Sequence, residues 1–485
     1  MVQQSLSRLR ETTASFTPTK ALAHFAAGLQ WEHIDTHARR HAKRHFLDTL
    51  GSAIAGAPQH ATLSVIGALR YAGETGSEMP TALPGSDMRD LGLLAAAHLM
   101  GTATHGLELD DGYRPGMMHP GCVVVPPALL LGARLKVSGR DVLTAMTVGY
   151  EIACRLSAAT HPRTRWRGFH PTSAAGVFAA AVTAGKLLNF DAIGMESAMG
   201  IAASSSAGLF TFLDGGDVKR LHGGLGAREG LFAAILAKHG LVGPPDALES
   251  TNGYFHSHAG ADNGQHDYAG LQILQAGGKP DQLLVTQCYL KPYSSCRHIH
   301  APTELLLELR AAHRLTLAEV EAIHVDTYAV AAAHGMPGWS EMTTAQMSMR
   351  YSLATALARG KLTPAEFDET TRADPDITAF CSRVTTSVDP DCEARYPDKR
   401  PAKIRVTLKN GRTLTAESDE PPGEPDRPMS DEQVEQKFLH LAAPVIGDHA
   451  ARQVATLIGN MDECEDVDAI LRSCALAPNS TVTTH

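Results

Sequence analysis

Residues 173–188 of this 485-residue chain read SAAGVFAAAVTAGKLL, an apolar segment in which small side chains predominate. Apolar residues at helical spacing favour a helix, and small side chains allow neighbouring helices to approach closely. Comparable patterns recur from Ala21 to Gly277. The clearest predicted helices are His41–Ala55, Val142–Ala158, Ala174–Leu188 and Gly230–His239. The first part of the chain is therefore predicted to form a large α-helical core.

The pattern changes after Asp281. Pro302–His313 has the spacing of a helix, and Val320–Tyr328 has the character of a strand. The segment KIRVTLKNGRTLTAES (403–418) alternates apolar and polar residues around Asn410-Gly411, which is a strong hairpin signal. These elements predict a smaller α+β domain.

The Pro-rich segment PPGEPDRP (421–428) ends this region, and Ser430 with Gln433 forms a capping box that starts another helix. The predicted fold class is mainly α. It consists of a large all-helical domain built from both chain ends plus a smaller α+β lid domain. The predicted domains are residues 1–280, residues 281–425 and the C-terminal helices of 426–485, which return to the helical domain.

Composition excludes several classes of protein. Lys plus Arg number 43 against 52 Asp plus Glu, a net charge of −9, and no basic block is present, so no nucleic-acid partner is expected. No uncharged apolar run reaches the roughly 18–20 residues of a spanning helix, so no membrane association is expected. Eight scattered cysteines without CxxC pairs indicate reduced thiols. We predict a cytoplasmic protein and interpret the polar N-terminus (1–20) as a frayed end, with a transit peptide as the alternative.

The segment HGLELDDGYRPGMMHPG (105–121) places polar residues between Gly- and Pro-rich turns in an otherwise apolar region. Its candidate groups are His105, Glu108, Asp110, Asp111 and His119. A carboxylate and an imidazole that are held together tune each other's pKa toward neutrality, as proton transfer at a carbon acid requires. The alternative interpretation is a surface loop with capping acids.

A second candidate is His170, in the segment RGFHPTSAAGVFAAA (167–181). Pro171 suits the first position of a helix, so His170 is predicted at the positive end of a buried helix, where an anion is stabilised. A structural helix cap is the alternative interpretation of this histidine.

A third segment, FLDGGDVKRLHGGLGAREG (212–230), contains Lys219, Arg220 and His222 beside several glycines. Glycines allow close approach of a ligand, and the cations can hold carboxylates. An exposed turn is the alternative. The glycine spacing misses the dinucleotide fingerprint because Glu229 replaces its third glycine, so no nicotinamide or flavin site is predicted.

The fourth segment is YLKPYSSCRHIHAPTELLLEL (289–309). Lys291, Tyr293, Arg297 and His298 are candidate donors to an anionic ligand, with a polar strand edge as the alternative. Two patterns imitate metal sites but are interpreted otherwise. Cys296, His298 and His300 have no second ligand cluster beside them, so no metal is predicted. His33, His37, His41 and His45 are interleaved with basic residues and are predicted to line a solvated helix face.

These four segments, in this order and spacing, resemble the MmgE/PrpD family, which includes 2-methylcitrate dehydratase, cis-aconitate decarboxylase and iminodisuccinate epimerase. The resemblance runs from about Ala21 to the C-terminal helix. It also covers FLDTLGSAIAG (46–56), AQMSMRYSLATALARG (345–360) and PPGEPDRPMSDEQVEQKF (421–438). It implies a helical domain made from both chain ends, a smaller α+β lid, a homodimer, and catalysis without a metal or organic cofactor.

The resemblance also implies roles for the candidate residues. The expected catalytic residues are His119, His170, Asp111, Glu108 and Lys219, with Lys219 expected on a glycine-rich turn. The resemblance also places Lys291 on the lid side. The expected substrate-binding residues are Lys291 and, from their side-chain chemistry, Tyr293, Arg297, His298, His222 and Arg220. The chain departs from the family at Gly112, where many members have threonine, and at Cys296, where some decarboxylases have histidine.

Three functions are compatible with these residues. The leading hypothesis is a cofactor-independent lyase, a dehydratase or decarboxylase, that acts next to a carboxylate of a small di- or tricarboxylic acid such as 2-methylcitrate or cis-aconitate. An epimerase of an aminodicarboxylate such as iminodisuccinate is the second hypothesis. A family member that binds a carboxylate without turnover is the third.

Overall fold

A computed structural model describes residues 17–260, 271, 282–336 and 338–476 of the chain. Most of the polar N-terminal segment and the predicted boundary between 1–280 and 281–425 lie outside these residues. The protein is mainly α-helical and contains one small mixed sheet among the described residues. No helix in the described ranges combines the length and the apolarity needed to cross a membrane.

Helices dominate the chain before residue 261, and short 3-10 turns connect several of them. The α-helices here are α1 (Pro18–Gly28), α2 (Thr36–Gly56), α3 (His60–Ala72), α4 (Leu93–Thr104), α5 (Gly121–Leu135), α6 (Gly139–Thr160), α7 (Arg163–Trp166), α8 (Pro171–Ala174), α9 (Gly176–Leu187), α10 (Ala192–Ala203), α11 (Val218–Lys238) and α12 (Tyr254–Ala259). The 3-10 turns are Trp31–His33, His105–Leu107 and Phe210–Asp214.

The rest of the chain mixes helices and strands and then ends in helices. The helices are α13 (His300–His313), α14 (Ala329–Ala333), α15 (Met342–Gln346), α16 (Met349–Arg359), α17 (Glu369–Arg372), α18 (Pro375–Cys381), α19 (Pro390–Arg395), α20 (Asp431–Ile446), α21 (Asp448–Gly459) and α22 (Asp468–Ser473). The strands are β1 (Val320–Thr327), β2 (Val384–Val388), β3 (Ala402–Leu408) and β4 (Thr413–Ser418). The 3-10 turns are Leu284–Gln287, Arg297–Ile299, Pro364–Phe367 and Met461–Glu463.

The sheet has the strand order β2-β1-β3-β4. β1 pairs with β2 in parallel and with β3 antiparallel, and β3 and β4 form the hairpin that the Asn410-Gly411 signal predicts. Gly411 adopts φ 82°, a left-handed conformation that glycine tolerates without steric cost. The predicted helix at Pro302–His313 is also confirmed, although it begins two residues earlier.

Two large hydrophobic cores contain most of the buried apolar side chains among the described residues. The first is formed mainly by α1–α12 and also takes in Phe438, Val454 and Ile470 from the C-terminal helices. The second lies between the sheet and the helices α13, α16 and α18, around Leu306, Tyr351 and Phe380. The C-terminal helices therefore pack with the first part of the chain.

Small residues in α9 and α11 allow these two helices to pack closely. A Cβ atom placed on Gly230 would lie 2.3 Å from the Val177 carbonyl oxygen, so only glycine fits there without a backbone shift. The same holds where α11 packs against α4, because a Cβ atom added to Gly224 would lie 2.3 Å from the His98 carbonyl oxygen. These glycines are helix contacts rather than turn residues.

This packing corrects two expectations about the segment 212–230. The predicted helix at Gly230–His239 is only the second half of a helix that begins at Val218. Lys219, Arg220 and His222 therefore lie in its first turns and not on a glycine-rich turn. Their side chains are buried, so they do not form an exposed turn either.

Candidate active site

The segment 105–121 leaves α4 and enters the interior before α5 begins. After the 3-10 turn His105–Leu107, Glu108 adopts φ 55°, and this left-handed residue redirects the chain. Gly112 then pairs with Tyr289 through two backbone hydrogen bonds of 3.0 and 2.8 Å. His105, Glu108, Asp110 and Asp111 are all buried, so the interpretation of this segment as a surface loop is wrong.

Three cations surround the carboxylate of Glu108. Lys219 Nζ and Arg220 both contact Oε1, Arg220 at 2.7 Å, and Lys291 Nζ lies 3.4 Å from Oε2. We call Lys219, Arg220 and Lys291 the cation cluster. Burial alone would raise the pKa of Glu108, but the charges of Lys219, Lys291 and Arg220 outweigh it and hold this pKa well below its usual range. Glu108 is therefore an ionised group bound to cations and not a proton donor.

The carboxylate of Asp110 faces two imidazoles. His105 Nδ1 donates to its Oδ2 at 2.6 Å, and His119 Nδ1 lies 3.5 Å from the same oxygen. Burial opposes ionisation, but His119, His105 and Lys291 together lower the pKa of Asp110. We call His105, Asp110 and His119 the acid–imidazole cluster. A carboxylate that orients a histidine in this way is the arrangement that proton-transfer catalysts use.

The hydrogen bond of His119 fixes its tautomer. Nδ1 lies 2.6 Å from the backbone carbonyl oxygen of Asp111, which can only accept, so Nδ1 carries the proton. The other nitrogen, Nε2, then carries a lone pair when the ring is neutral. Burial lowers the pKa of His119 to about 4, which keeps the ring neutral at physiological pH. Its side chain is 15% exposed and can therefore accept a proton from a ligand.

His170 and His222 form a second imidazole pair. Their Nδ1 atoms are 2.8 Å apart, so one ring donates to the other. Thr172 Oγ1 lies 3.3 Å from His170 Nε2 and also accepts from the His119 backbone N–H at 3.2 Å. Burial lowers the pKa of both histidines, that of His222 to about 4. His170 precedes the proline that starts α8, as the sequence predicts.

His105 lies between the two sets of imidazoles. Its ring centroid is 5.0 Å from that of His119 and 5.9 Å from that of His170. The structure thus brings together histidines from segments 105–121 and 167–181. Lys219 of α11 joins them, since its positive charge lowers the pKa of both His119 and His170.

Two buried polar atoms of this site have no hydrogen-bond partner within the described part of the chain. They are His105 Nε2 and Asp110 Oδ1. Buried polar atoms are nearly always hydrogen-bonded, and each exception requires a reason. Both atoms belong to the acid–imidazole cluster, next to the cation cluster, because Lys291 Nζ lies 4.0 Å from Asp110 Oδ1. Asp110 Oδ1 can only accept a hydrogen bond, so a ligand that offers a donor to this oxygen and a carboxylate to the cation cluster would satisfy both clusters.

The two halves of the chain match the MmgE/PrpD N-terminal domain over residues 20–266 and the MmgE/PrpD C-terminal domain over residues 293–463. This chain belongs to the MmgE/PrpD family. It is 26% identical to a cis-aconitate decarboxylase of Aspergillus terreus, over 95% of this chain and 96% of that protein. It is 27% identical to the Homo sapiens cis-aconitate decarboxylase, over 93% of both chains. A cis-aconitate decarboxylase-like protein, oryM, of Aspergillus oryzae is 28% identical over 79% of this chain and 82% of its own length.

In this MmgE/PrpD protein the acid–imidazole cluster also has the composition of a metal site. One ligand atom from each of His105, Asp110 and His119 lies within 4.8 Å of the others, a juxtaposition that the sequence analysis did not foresee. Lys291 beside Asp110 and Lys219 beside Glu108 place positive charge next to this group. Like charges oppose cation binding, so an anion fits these surroundings better than a divalent metal does.

Asp111 lies apart from the two clusters, although it follows Asp110 directly. Its carboxylate accepts hydrogen bonds from His45 at 2.8 Å, Tyr150 at 2.7 Å and the Gly121 backbone at 2.9 Å. These three donors occupy the carboxylate and anchor the loop to α2, α5 and α6. These contacts favour a structural role for Asp111, and its expected catalytic role stays a prediction.

The same contact corrects the interpretation of the four histidines at 33, 37, 41 and 45 as a solvated face. His45 is 1% exposed and bonded to Asp111. Burial and the neighbouring His45 lower the pKa of the half-buried His41 to about 3. His33 and His37 are exposed, as expected. The histidine series therefore runs from solvent into the core along α2.

The candidates of the segment 289–309 separate into different surroundings. Lys291 joins the cation cluster, whereas Arg297 binds Glu424 at 2.9 Å and the Pro422 carbonyl oxygen at 2.7 Å. His298 bonds to Tyr328, and the ring of Tyr293 packs against His300. The contacts described for Tyr293, Arg297 and His298 are thus with residues outside the two clusters.

Three residues of the site carry no signal in the sequence that would indicate a specific role. His105 and Asp110 stand in the quoted segment, but nothing in the sequence distinguishes Asp110 from Asp111. Gln346 of α15 accepts from Arg220 at 3.0 Å and donates to the Leu107 carbonyl oxygen at 2.9 Å. No local pattern around Gln346 indicates that its side chain binds a residue 126 positions away.

Proposed function

We propose that this protein is a lyase that removes a carboxyl group from a small unsaturated tricarboxylic acid such as cis-aconitate, without a metal or organic cofactor. The observation that carries the proposal is the convergence of Lys219, Arg220 and Lys291 on the same buried region as His105, Asp110 and His119. The names of the decarboxylases that it resembles favour decarboxylation over dehydration.

The charge balance of the site supports a polyanionic substrate. Three cations of the cation cluster face two ionised carboxylates, Glu108 and Asp110, so the buried region has an excess of positive charge. Uncompensated buried charge is unfavourable and is relieved when an anion binds. A substrate carboxylate that is not lost in the reaction would bind beside the cation cluster and hold the substrate in place.

The neutral histidines support proton delivery. A bound polyanion raises the pKa of neighbouring imidazoles, so a histidine whose pKa is low in the free protein takes up a proton as the substrate binds. Loss of carbon dioxide leaves an electron pair on carbon, stabilised as an enolate by the positive charges nearby. His119 Nε2 is our candidate for the atom that carries the proton to this carbon, with Asp110 and His105 orienting the site around it.

One observation favours a second candidate function. His119 and His170 both lie against the His105 ring, and they come from the separate segments that precede α5 and α8. Two bases on two faces of a substrate carbon can exchange its configuration, which is the requirement for an epimerase of an aminodicarboxylate such as iminodisuccinate. Dehydration of 2-methylcitrate requires one base and one acid and uses the same residues.

Proton NMR in deuterated water distinguishes these functions. The purified chain is incubated separately with cis-aconitate, 2-methylcitrate and iminodisuccinate, and carbon dioxide release is measured in parallel. Decarboxylation of cis-aconitate with one deuterium incorporated is the expected result. Water loss from 2-methylcitrate, or deuterium exchange at the chiral carbon without loss of a group, would replace the proposal with the dehydratase or the epimerase. Thermal stabilisation by an acid without any product would instead indicate a carboxylate-binding protein.

A further inference from the structure

Cys296 and His334 form a pair that the proposed reaction does not use. Cys296 Sγ lies 3.5 Å from His334 Nε2, and His334 Nδ1 lies 2.8 Å from the backbone carbonyl oxygen of Met347. A carbonyl oxygen only accepts, so Nδ1 donates to it and Nε2 is directed at the sulfur. The thiol of Cys296, the imidazole of His334 and the carbonyl group that orients it therefore have the spatial arrangement of an activated cysteine. Both side chains are half-buried.

The backbone around Cys296 favours a negative sulfur. Cys296 directly precedes the 3-10 turn Arg297–Ile299 and then α13, so it lies at a helical N-terminus. The backbone N–H of His298 also donates to this sulfur. Of the charged groups nearby, Lys291 interacts favourably with a thiolate here, whereas Glu108 opposes it.

The electrostatics agree with this geometry. Burial would raise the pKa of the Cys296 thiol, but the charge of His334 and the two hydrogen bonds outweigh it and lower this pKa to about 7. The charge of Cys296 in turn raises the pKa of His334 to about 9. About half of the Cys296 side chains are therefore thiolates at neutral pH, beside a protonated His334. By contrast, burial raises the pKa of Cys122, Cys154, Cys288, Cys381, Cys392 and Cys474.

We propose that Cys296 is a modification site at which a thiolate adds to soft carbon electrophiles, with α,β-unsaturated carboxylic acids as the class that matches its surroundings. The sulfur forms a bond to the β-carbon, and the π electron pair moves to the α-carbon. The α-carbon then takes the Nε2 proton of His334, so the product is a neutral-ring histidine and a thioether. The positive charges of His334 and Lys291 favour an electrophile that carries a carboxylate.

An adduct at Cys296 is expected to reach the candidate active site. The Cys296 backbone N–H donates to the Gln346 carbonyl oxygen at 2.9 Å, and the Gln346 side chain binds Arg220 of the cation cluster. A group attached to Cys296 is therefore expected to disturb Gln346 and, through it, the position of Arg220. This consequence rests on the proposed function, whereas the reactivity of the thiol does not.

The first experiment measures the reactivity alone. The full-length chain is treated with iodoacetamide, and alkylation of each cysteine is followed by peptide mass spectrometry at about pH 7 and about pH 8. A thiol with a pKa near 7 changes its alkylation rate less than about twofold over this range, whereas an ordinary thiol with a pKa near 8.5 changes about eightfold. Cys464 is the matched control, since it is also half-buried but its sulfur contacts the Asp466 carbonyl oxygen instead of an imidazole.

The expected result is the shallow pH dependence at Cys296 in the wild-type protein and the steep one in His334→Gln. A steep dependence at Cys296 in the wild type, or a rate below that of Cys464 at about pH 7, would overturn the proposal without any variant. If His334→Gln retains its melting temperature and the shallow dependence, His334 does not activate the thiol and the proposal is likewise overturned.

The second experiment tests the electrophile class with monomethyl fumarate as the probe. The expected product is one intact probe molecule on Cys296 in the wild type and none on Cys296→Ser. No adduct under conditions where iodoacetamide reacts would overturn the assignment to unsaturated carboxylic acids. Activity on cis-aconitate is measured on the same samples. An inactive wild type that still forms the adduct would contradict the proposed function and leave the modification site intact.

Discussion

Replacing Lys291 by methionine tests the central element of the proposed site. Lys291 is 1% exposed and lies between two carboxylates, with Nζ 3.4 Å from Glu108 Oε2 and 4.0 Å from Asp110 Oδ1. Methionine has a similar length, fills the same volume and removes the charge. The variant therefore separates the charge of Lys291 from its packing.

The stability cost of Lys291→Met is limited by the partners that remain. Glu108 keeps Lys219 and Arg220, and Asp110 keeps His105, so no carboxylate loses its last partner. We expect a loss of about 1–3 kcal/mol in the free energy of unfolding, less than the roughly 3–5 kcal/mol of a buried charge left unpaired. Loss of a buried cation that holds a substrate carboxylate costs about 2–5 kcal/mol of transition-state binding. This corresponds to a fall in kcat/KM of roughly 30- to 5,000-fold.

The assay combines urea unfolding with steady-state decarboxylation of cis-aconitate at a temperature at which both proteins are folded. Arg155→Met is the matched control, because Arg155 forms a buried ion pair with Glu151 that shares no residue with the two clusters. The control is expected to lose stability while keeping kcat/KM within about threefold of the wild type. A Lys291→Met variant with nearly normal kcat/KM, or an equal loss of kcat/KM in Arg155→Met, would refute the reasoning.

Three further predictions test the acid–imidazole cluster and its surroundings. Asp110→Asn is expected to lower kcat/KM at least about 100-fold. Asp111→Asn is expected to lower the free energy of unfolding by about 1–3 kcal/mol while the folded enzyme stays active. Kinetics and urea unfolding of both variants check these expectations. Activity is expected to survive exhaustive chelation without added nicotinamide or flavin, and its loss and recovery with one metal would show that the cluster binds a metal. Burial lowers the pKa of His222 to about 4, so the unfolded chain binds a proton below about pH 6.5 that the folded protein excludes. The stability should therefore fall between about pH 6.5 and about pH 4, with a shallower fall in His222→Asn than in the wild type when urea unfolding is measured across this range.

The elements that local patterns determine were predictable from the sequence. The hairpin at 403–418 follows from strand alternation on both sides of Asn410-Gly411, and the capping box at Ser430 starts α20 as expected. Membership of the MmgE/PrpD family follows from motifs spread over most of the chain. The hairpin and the capping box depend on neighbours in sequence, and the family membership depends on many positions at once. A few tertiary contacts therefore do not alter them.

The features that depend on distant contacts were not predictable. The glycines of 223–230 indicate a turn on propensity alone, yet they lie inside α11 because α4 and α9 approach its backbone there. Asp110 and Asp111 are equivalent in sequence, and their different surroundings arise from the left-handed turn at Glu108 and the donors that face each carboxylate. The four-residue spacing that ends at His45 indicates one face of a helix. It does not indicate that the end of this face next to Asp111 is buried.

The glycine at residue 112, where the family resemblance leads us to expect a threonine, has a physical explanation in the loop itself. A Cβ atom on Gly112 would lie 2.3 Å from the hydroxyl oxygen of Tyr289, so a threonine cannot fit beside this tyrosine. The absence of a side chain lets Tyr289 pack directly on the loop while its backbone pairs with Gly112. Because Lys291 follows Tyr289 by two residues, this pairing sets the position of Lys291 next to Glu108 and Asp110. Gly112 and Tyr289 are therefore one structural unit, and this unit joins the carboxylates of the first part of the chain to a cation from the second.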